Sequence, residues 1–343
     1  MKAGKNGSEA IIYIIVIAAI LLAFSAYFMF IRVFVDSYLR DYSDLYRSQA
    51  VFEFYLNPPE CNKVYYWGSS SIKEDIDAAI IDRVRPEACH YNLGNPASTP
   101  LRRLAELPDA IDSGPGAVVF GVSFMSFSGK WMFPHDQYAL VSPYAEIGQC
   151  SVPGLLYNQT VMDLAAMNRL ELLLYKRKFI SPGTRKLLGL LRHRLYGTEK
   201  PSYYRDYNTD FKSRGALLPE ELHDPEFGAR LANKTDFSEY DVPLGMNPEK
   251  SAFDYILGEL TGNNITVVVL KIPINPLLLE KIPGQYQDNM NAFLGDMAVK
   301  HGAAMLDYTS AYNETLFYDG HHLNREGKRL FSRELGEMLE GVV

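Results

Sequence analysis

The sequence alternates short apolar runs that favour β-strands with longer segments whose apolar residues recur at helical spacing. Chains of this kind form a parallel sheet covered by helices, because parallel neighbours are joined by long crossovers. Strands are predicted at residues 64–67, 89–92, 117–121, 266–270 and 304–307. Helices are predicted at residues 72–84, 101–111, 251–260, 285–300 and 325–339, the last with Asn324 as N-cap. The pattern indicates an α/β protein with a sheet of about five strands.

One interval is too long for a single crossover, since roughly 140 residues separate the third and fourth predicted strands. We expect a large helical insert at about residues 130–250, with amphipathic stretches at 161–175 and 184–196. Lysines, arginines and a histidine between positions 176 and 194 make the middle of the insert locally basic. That patch could bind an acidic substrate or a lipid head group, or be a solvated helical cap or a face near the membrane.

Residues 10–30 contain no charged side chain, and about 20 such residues can span a bilayer as a helix. A cleaved signal peptide is the rival, but its apolar core is shorter and a small-residue cleavage site should follow. We expect a tail at 1–9, a transmembrane anchor at 10–34, a helical stalk at 35–60 and an α/β domain at 61–343.

The orientation of that anchor is open from charge alone, because basic residues lie on both sides of it. Glycosylation sequons favour an extracytoplasmic domain; they begin at Asn158, Asn233, Asn264 and Asn313. Cys61 and Cys89 precede neighbouring predicted strands, so a disulfide between them is expected with Cys150 free, or else three buried thiols.

The net charge of −7 and the lack of a long basic run argue against nucleic-acid binding. Neither a nucleotide-binding loop nor a metal-binding motif stands out, so we expect no cofactor and no metal. The membrane is the one partner that composition predicts.

The stretch at 64–71, V-Y-Y-W-G-S-S-S, predicts a strand that ends in a sharp turn with a serine hydroxyl. Gly68 permits the turn, and a helix follows at once. The hydroxyl would stand at the carboxyl edge of the sheet, where it could attack an acyl carbonyl. This stretch alone leaves open which of Ser69, Ser70 and Ser71 supplies the hydroxyl, and the others would serve as turn or capping residues.

A serine nucleophile needs a base and a group that orients the base. Near the C-terminus the sequence D-G-H-H-L-N places Asp319 and His322 three residues apart, and His321 would be the base if the turn were shifted. Metal binding by the two adjacent histidines is not expected, because neighbouring side chains do not converge. The remaining histidines show no partner pattern; they are His90, His135, His193, His223 and His301.

Four stretches together resemble the blocks of the SGNH (GDSL-like) hydrolase superfamily: G-S-S, Y-N-L-G-N-P-A-S, V-V-F-G-V-S and D-G-H-H-L-N-R-E-G. The resemblance covers roughly residues 62–126 and 264–340. It is closest to membrane-anchored extracytoplasmic members similar to the teichoic acid D-alanine transfer protein and alginate O-acetylation proteins. It implies a three-layer α/β/α, flavodoxin-like fold with strand order 2-1-3-4-5, and a site between the first and third strands.

Carried over by position, the resemblance implies Ser70 as nucleophile, His322 as base and Asp319 as its orienting carboxylate. The Ser70 N–H would be one oxyanion donor. The family's second-block glycine falls at Ala97 and its third-block asparagine at Ser123, so two donors depart from the pattern. Gly68 and Asn95 complete the candidate oxyanion and substrate residues.

The resemblance therefore implies a serine esterase or O-acyltransferase that acts on an acylated cell-surface glycan or glycolipid, with a membrane-bound acyl-donor protein as a candidate partner. The alternative is a catalytically weak or inactive subunit that binds glycan or assists envelope assembly. Ala97 and Ser123 favour that alternative, whereas Ser70, Asp319 and His322 together oppose it. An intracellular lipase-like esterase is a third reading.

Overall fold

The computed structural model describes residues 5–30, 44–96, 98–128, 211–212 and 240–342. The chain divides into two compact units, Met1–Ser43 with Asn168–Arg205, and Asp44–Met167 with Asp206–Val343. The described part of the first unit is helix α1, Lys5–Phe30. A search of the described residues found no helix with the length and apolar character needed to cross a membrane. The anchor at 10–34 stays a prediction from the sequence.

The second unit is built on a five-stranded parallel sheet of order β2-β1-β3-β4-β5. The strands are β1 (Lys63–Trp67), β2 (Cys89–Asn92), β3 (Ala117–Val122), β4 (Thr266–Lys271) and β5 (Ala304–Asp307). Each predicted strand exists within one residue of its expected ends, and the α/β fold is confirmed. β1 and β3 are buried along their length, and β4 is buried after its first residue, because most of their side chains are apolar on both faces.

Helices cover both faces of the sheet. They are α2 (Asp44–Leu56), α3 (Ser70–Asp75), α4 (Ala78–Val84), α5 (Pro100–Arg103), α6 (Leu107–Asp112), α7 (Pro248–Gly262), α8 (Pro276–Leu279), α9 (Gly284–His301) and α10 (Arg325–Met338). Tyr65 and Trp67 of β1 pack in one core with α2, α7 and α9. Val64 and Tyr66 point to the opposite core, with α3, α4 and α10. This alternation along one strand separates the two cores.

Two expected helices are each divided in two. The segment predicted as one helix at 72–84 breaks at Ile76, which is extended, and Asp77 caps α4 by accepting hydrogen bonds from the N–H groups of Ala79 and Ile80. The segment predicted at 101–111 divides into α5 and α6, with Pro108 in the first turn of α6. Proline lacks an N–H and does not continue a helix from the preceding turn.

The predicted stalk belongs in part to the α/β unit. Phe52 and Tyr55 of α2 are buried in its core, and the Trp67 indole N–H donates to the Tyr55 hydroxyl at 2.9 Å. The compact unit that contains the sheet includes α2 and begins at Asp44. Both amphipathic stretches of the predicted insert and its basic middle lie outside the described residues.

The expected disulfide joins Cys61 and Cys89, whose Cα atoms are 6.2 Å apart. It lies at the N-terminal ends of β1 and β2, where Lys63 pairs with Cys89. Of the four sequon asparagines, Asn264 and Asn313 are exposed, and the other two lie outside the described residues.

Candidate active site

Gly68 turns the chain out of β1 and into the serine loop. Its φ of 153° lies in a region that side chains with a Cβ rarely adopt. A Cβ at this position would stand 2.8 Å from the Gly121 carbonyl oxygen and closer still to Ile72. Glycine is therefore required both by the backbone angle and by the close approach of β3. The turn delivers Ser70 as the first residue of α3, with Ser69 at the N-cap position.

Ser70, His322 and Asp319 are hydrogen-bonded in series. The distance from His322 Nε2 to Ser70 Oγ is 2.9 Å, and the distance from His322 Nδ1 to Asp319 Oδ2 is 2.8 Å. The second oxygen of Asp319 accepts the backbone N–H groups of His321 and His322, both at 2.8 Å. Asp319 therefore fixes both the ring and the backbone of the histidine. With the Nδ1 proton on the Asp319 side, Nε2 is free to accept the serine proton.

The turn that carries the histidine is held from several sides. The Asn275 side chain donates to the Asp319 carbonyl at 3.1 Å, and the Asn275 N–H donates to the Gly320 carbonyl at 3.1 Å. Tyr318 stacks on the His322 ring with 9° between the planes. Asn275 is almost completely buried in the loop after β4, and its bonds make that loop a rigid support of the turn.

Electrostatics favour an ionised carboxylate beside a basic histidine. Burial alone would raise the pKa of Asp319, but the hydrogen bond and positive charge of His322 lower that pKa to about 2. Burial likewise acts to lower the pKa of His322, yet the bond to Asp319 and the charges of Asp319, Asp75 and Glu74 hold it above the usual value. The pair therefore has the polarity that a general base requires near neutral pH.

His321 differs from His322 although the two are adjacent. Burial and the neighbouring His322 lower the pKa of His321 to about 4. Its ring lies beside that of His322, with centroids 4.2 Å apart. Ligand atoms of Asp319, His321 and His322 lie within 4.8 Å of one another, the one such group in the described part of the chain. The Asp319 and His322 atoms already bond each other, and all three residues lie on one turn, so we assign no metal to them.

The oxyanion side is less complete. Ser123 follows β3 and stands three positions beyond Phe120, just as Ser70 stands three beyond its strand partner Trp67. The Ser123 N–H donates to Ser126 Oγ at 3.0 Å, so this N–H is engaged in a local turn. Ala97 lies outside the described residues.

Asn95 has a fully buried side chain on the loop after β2, and its N–H donates to the Gly68 carbonyl at 3.0 Å. Among the described residues, neither its side-chain nitrogen nor its side-chain oxygen has a hydrogen-bond partner, and the Ser98 hydroxyl also has none. Buried polar atoms without partners are costly, and their presence beside a candidate nucleophile marks a place where a ligand could supply the partner.

Sequence reasoning missed the side chains that tie these loops together. Arg103 is completely buried and donates to the Gly68 and Leu93 carbonyls, each at 2.9 Å, while Glu106 pairs with its guanidinium. Asn92 Nδ2 donates to the carbonyls of Ile72 and Ile76 in and after α3, at 2.8 and 2.7 Å. A buried arginine has no sequence signature, because its partners are carbonyls made adjacent only by the fold.

Other candidates have structural roles. Ser71 is buried within α3, while the neighbouring Ser70 hydroxyl reaches His322. His90 bonds to the Tyr66 hydroxyl at 2.9 Å, and His301 bonds to Asp254 at 2.6 Å. His135, His193 and His223 lie outside the described residues.

Comparison with known proteins gave no match, either in a scan against protein-family models or in a search of curated proteins. The resemblance to the SGNH superfamily therefore stays a prediction from the sequence motifs.

Proposed function

We propose that the chain is a serine esterase or O-acyltransferase of SGNH type, with Ser70 as nucleophile, His322 as general base and Asp319 as orienting carboxylate. The observation that carries the proposal is the continuous hydrogen-bonded series from Ser70 Oγ through His322 to Asp319. Three residue types in this order and geometry are the recurring means of activating a serine hydroxyl.

The reaction would proceed through an acyl-enzyme. Ser70 Oγ attacks the acyl carbonyl carbon while its proton passes to His322 Nε2. The tetrahedral intermediate then collapses, and the leaving alcohol takes the proton from His322. Water or a sugar hydroxyl next gives its proton to His322 and attacks the acyl carbon. The bond to Ser70 Oγ then breaks, His322 returns the proton to Ser70, and a free acid or a new ester leaves. The Ser70 and Ala97 N–H groups, with Ser123 and Asn95, are the proposed oxyanion and substrate contacts.

The finer assignments rest on the sequence. The uncharged stretch at 10–30 supports a single-pass membrane protein. The sequons and the Cys61–Cys89 disulfide support an extracytoplasmic domain. The motif resemblance supports an acylated cell-surface glycan or glycolipid as substrate, and a membrane-bound acyl donor as partner.

A second function has its own support. A non-catalytic subunit that binds glycan or assists envelope assembly would tolerate a weak oxyanion hole. The short side chain of Ser123 favours this alternative, because it stands where the resemblance has the longer donor side chain of an asparagine. Loss of one oxyanion donor costs roughly 100- to 1000-fold in rate.

Covalent labelling distinguishes the two functions. The full-length protein in detergent would be treated with a fluorophosphonate serine probe and digested for peptide mapping. An activated Ser70 should be modified, and the modification should disappear in Ser70→Ala and in His322→Ala. A folded wild-type protein that is not modified by the probe, yet binds to a column of immobilised acylated glycan, would favour the binding subunit.

Two neighbouring residues provide matched controls. Ser71→Ala removes the adjacent hydroxyl, and His321→Ala removes the adjacent imidazole. Labelling should persist in both variants at the Ser70 peptide. Loss of labelling in Ser71→Ala with retention in Ser70→Ala would make Ser71 the nucleophile. Loss in His321→Ala with retention in His322→Ala would make His321 the base.

A further inference from the structure

Asp75 lies behind the candidate triad and takes no part in the chemistry described above. It is the last residue of α3, the helix that Ser70 begins. One carboxyl oxygen accepts the Leu323 backbone N–H at 2.8 Å, across 248 residues of sequence. The side chain is completely buried, and its other oxygen has no hydrogen-bond partner within the described chain.

The contact joins the two halves of the site at a second point. Ser70, at the start of α3, contacts the ring of His322 at 2.9 Å. Asp75, at the end of the same helix, holds the backbone of the next residue, Leu323. These two links fix the turn relative to α3, whereas the Asn275 bonds fix it relative to the loop after β4.

We infer that Asp75 is a positioning residue: through the Leu323 N–H it fixes the base His322 within reach of the nucleophile Ser70. The inference rests on the proposed function for the roles of His322 and Ser70. The bond between the helix and the turn stands without it.

Burial and the neighbouring positive charges act on the pKa of Asp75 in opposite directions. Burial raises the pKa of Asp75 well above the usual carboxyl value, and the negative charge of Asp319 adds to that rise. The positive charges of His322 and Lys328 act in the opposite direction. Glu74, adjacent in α3, is ionised more readily than usual because Lys73 beside it outweighs the effect of burial on its pKa. The contact with the Leu323 N–H needs only an acceptor oxygen at this place, so the amide oxygen of an asparagine should replace it.

The test uses the full-length protein and two readouts. Asp75→Leu removes the acceptor, Asp75→Ala does so with a smaller side chain, and Asp75→Asn restores an oxygen in the same place. Fluorophosphonate labelling of Ser70 should slow by about 10- to 100-fold in Asp75→Leu, because small displacements of catalytic groups have effects of that size. Asp75→Asn should recover most of the wild-type rate.

Amide hydrogen exchange provides the readout that does not depend on catalysis. The peptide containing Leu323 should exchange about 10-fold faster or more in Asp75→Leu than in wild type, and should be protected again in Asp75→Asn. Asp77→Leu is the matched control, because Asp77 caps α4 without a bond to the histidine turn. It should lower thermal stability and leave both readouts unchanged.

The outcomes separate the inference from the proposed function. A folded Asp75→Leu or Asp75→Ala protein that labels at the wild-type rate would overturn the inference, as would an Asp75→Asn protein as slow as Asp75→Leu. If wild type itself is not labelled, the proposed function fails. Exchange at Leu323 then decides the inference: acceleration in Asp75→Leu alone supports it, and unchanged exchange overturns it.

Discussion

The two sides of the candidate site differ in how completely their polar atoms are paired. On the base side, both oxygens of Asp319 and both ring nitrogens of His322 have hydrogen-bond partners. On the oxyanion side, the Asn95 amide and the Ser98 hydroxyl are buried without partners among the described residues. The Asp319–His322 pair is thus organised by the protein itself, although one oxygen of Asp75 behind it has no partner among the described residues. The oxyanion side holds polar atoms that a substrate could bind.

This difference has a physical consequence. Paired polar groups stabilise a fold, and buried unpaired groups destabilise it by about 1–3 kcal/mol each. Removing a group from the base side should therefore impair both structure and chemistry. If the Asn95 amide is kept for a ligand, removing it should raise the stability of the fold and lower the reaction rate.

The largest effect is expected from Asp319→Asn. The amide nitrogen that replaces one oxygen cannot accept the His322 Nδ1 proton, so the ring would be driven to the wrong tautomer. Fluorophosphonate labelling of Ser70 should slow by about 10³- to 10⁴-fold, the scale observed for this change in other serine triads. Asp254→Asn, which alters a carboxylate paired with Lys300 and His301, is the control. A reduction below about 10-fold would show that Asp319 does not orient the base.

Asn95→Leu should give the next largest change in rate, with an opposite change in stability. Leucine has a similar size and no polar atoms to leave unpaired, so the free energy of unfolding should rise by about 1 kcal/mol. The labelling rate should fall by about 100-fold if the amide contacts the oxyanion or substrate. Denaturant unfolding and probe kinetics measure the two effects on one preparation. Unchanged kinetics would remove Asn95 from the candidate site.

The sheet could be predicted from the sequence because its strands carry their own signal. Runs such as V-Y-Y-W and V-V-V-L are apolar at successive positions, which is typical of strands buried on both faces. Boundaries failed where a single residue decided the outcome. The Asp77 side chain accepts hydrogen bonds from N–H groups of α4 and so starts a new helix there. Pro108 lies in the first turn of α6, within an amphipathic pattern that continues on both sides of it.

The triad and its supporting residues were not equally predictable. Asp319 and His322 are three residues apart, so their contact is local and visible in the sequence. The bonds from Arg103 to the Gly68 and Leu93 carbonyls depend on helix α5 meeting the loops after β1 and β2 in space. No local pattern in the sequence distinguishes such a buried arginine from an arginine on the surface. Catalytic side chains can thus be read from motifs more readily than the residues that hold them.

The pH dependence of labelling tests the electrostatics of the base side. His322 must be neutral to accept the serine proton, and its pKa is raised because the effects of Asp319, Asp75 and Glu74 exceed that of burial. The labelling rate should therefore fall as pH decreases, by about 10-fold per unit below the pKa, with a midpoint above about 6.5. Asp319→Asn removes the largest stabilising partner of the imidazolium, so its midpoint should move to lower pH. A wild-type midpoint below about 6 would contradict the assignment of His322.

The smallest effect on the labelling rate is expected from the disulfide at the N-terminal ends of β1 and β2. The Cys61–Cys89 disulfide closes a loop with a sequence separation of 28 and lies where β1 and β2 begin. The double variant Cys61→Ala/Cys89→Ala should lose about 3–4 kcal/mol of unfolding free energy through the entropy of the unfolded chain. The Ser70 labelling rate of the folded fraction should not change, because the candidate site lies at the opposite, C-terminal ends of the strands. If the labelling rate fell together with stability, the geometry of the serine turn would depend on the whole length of β1. The disulfide would then also help to position the candidate site.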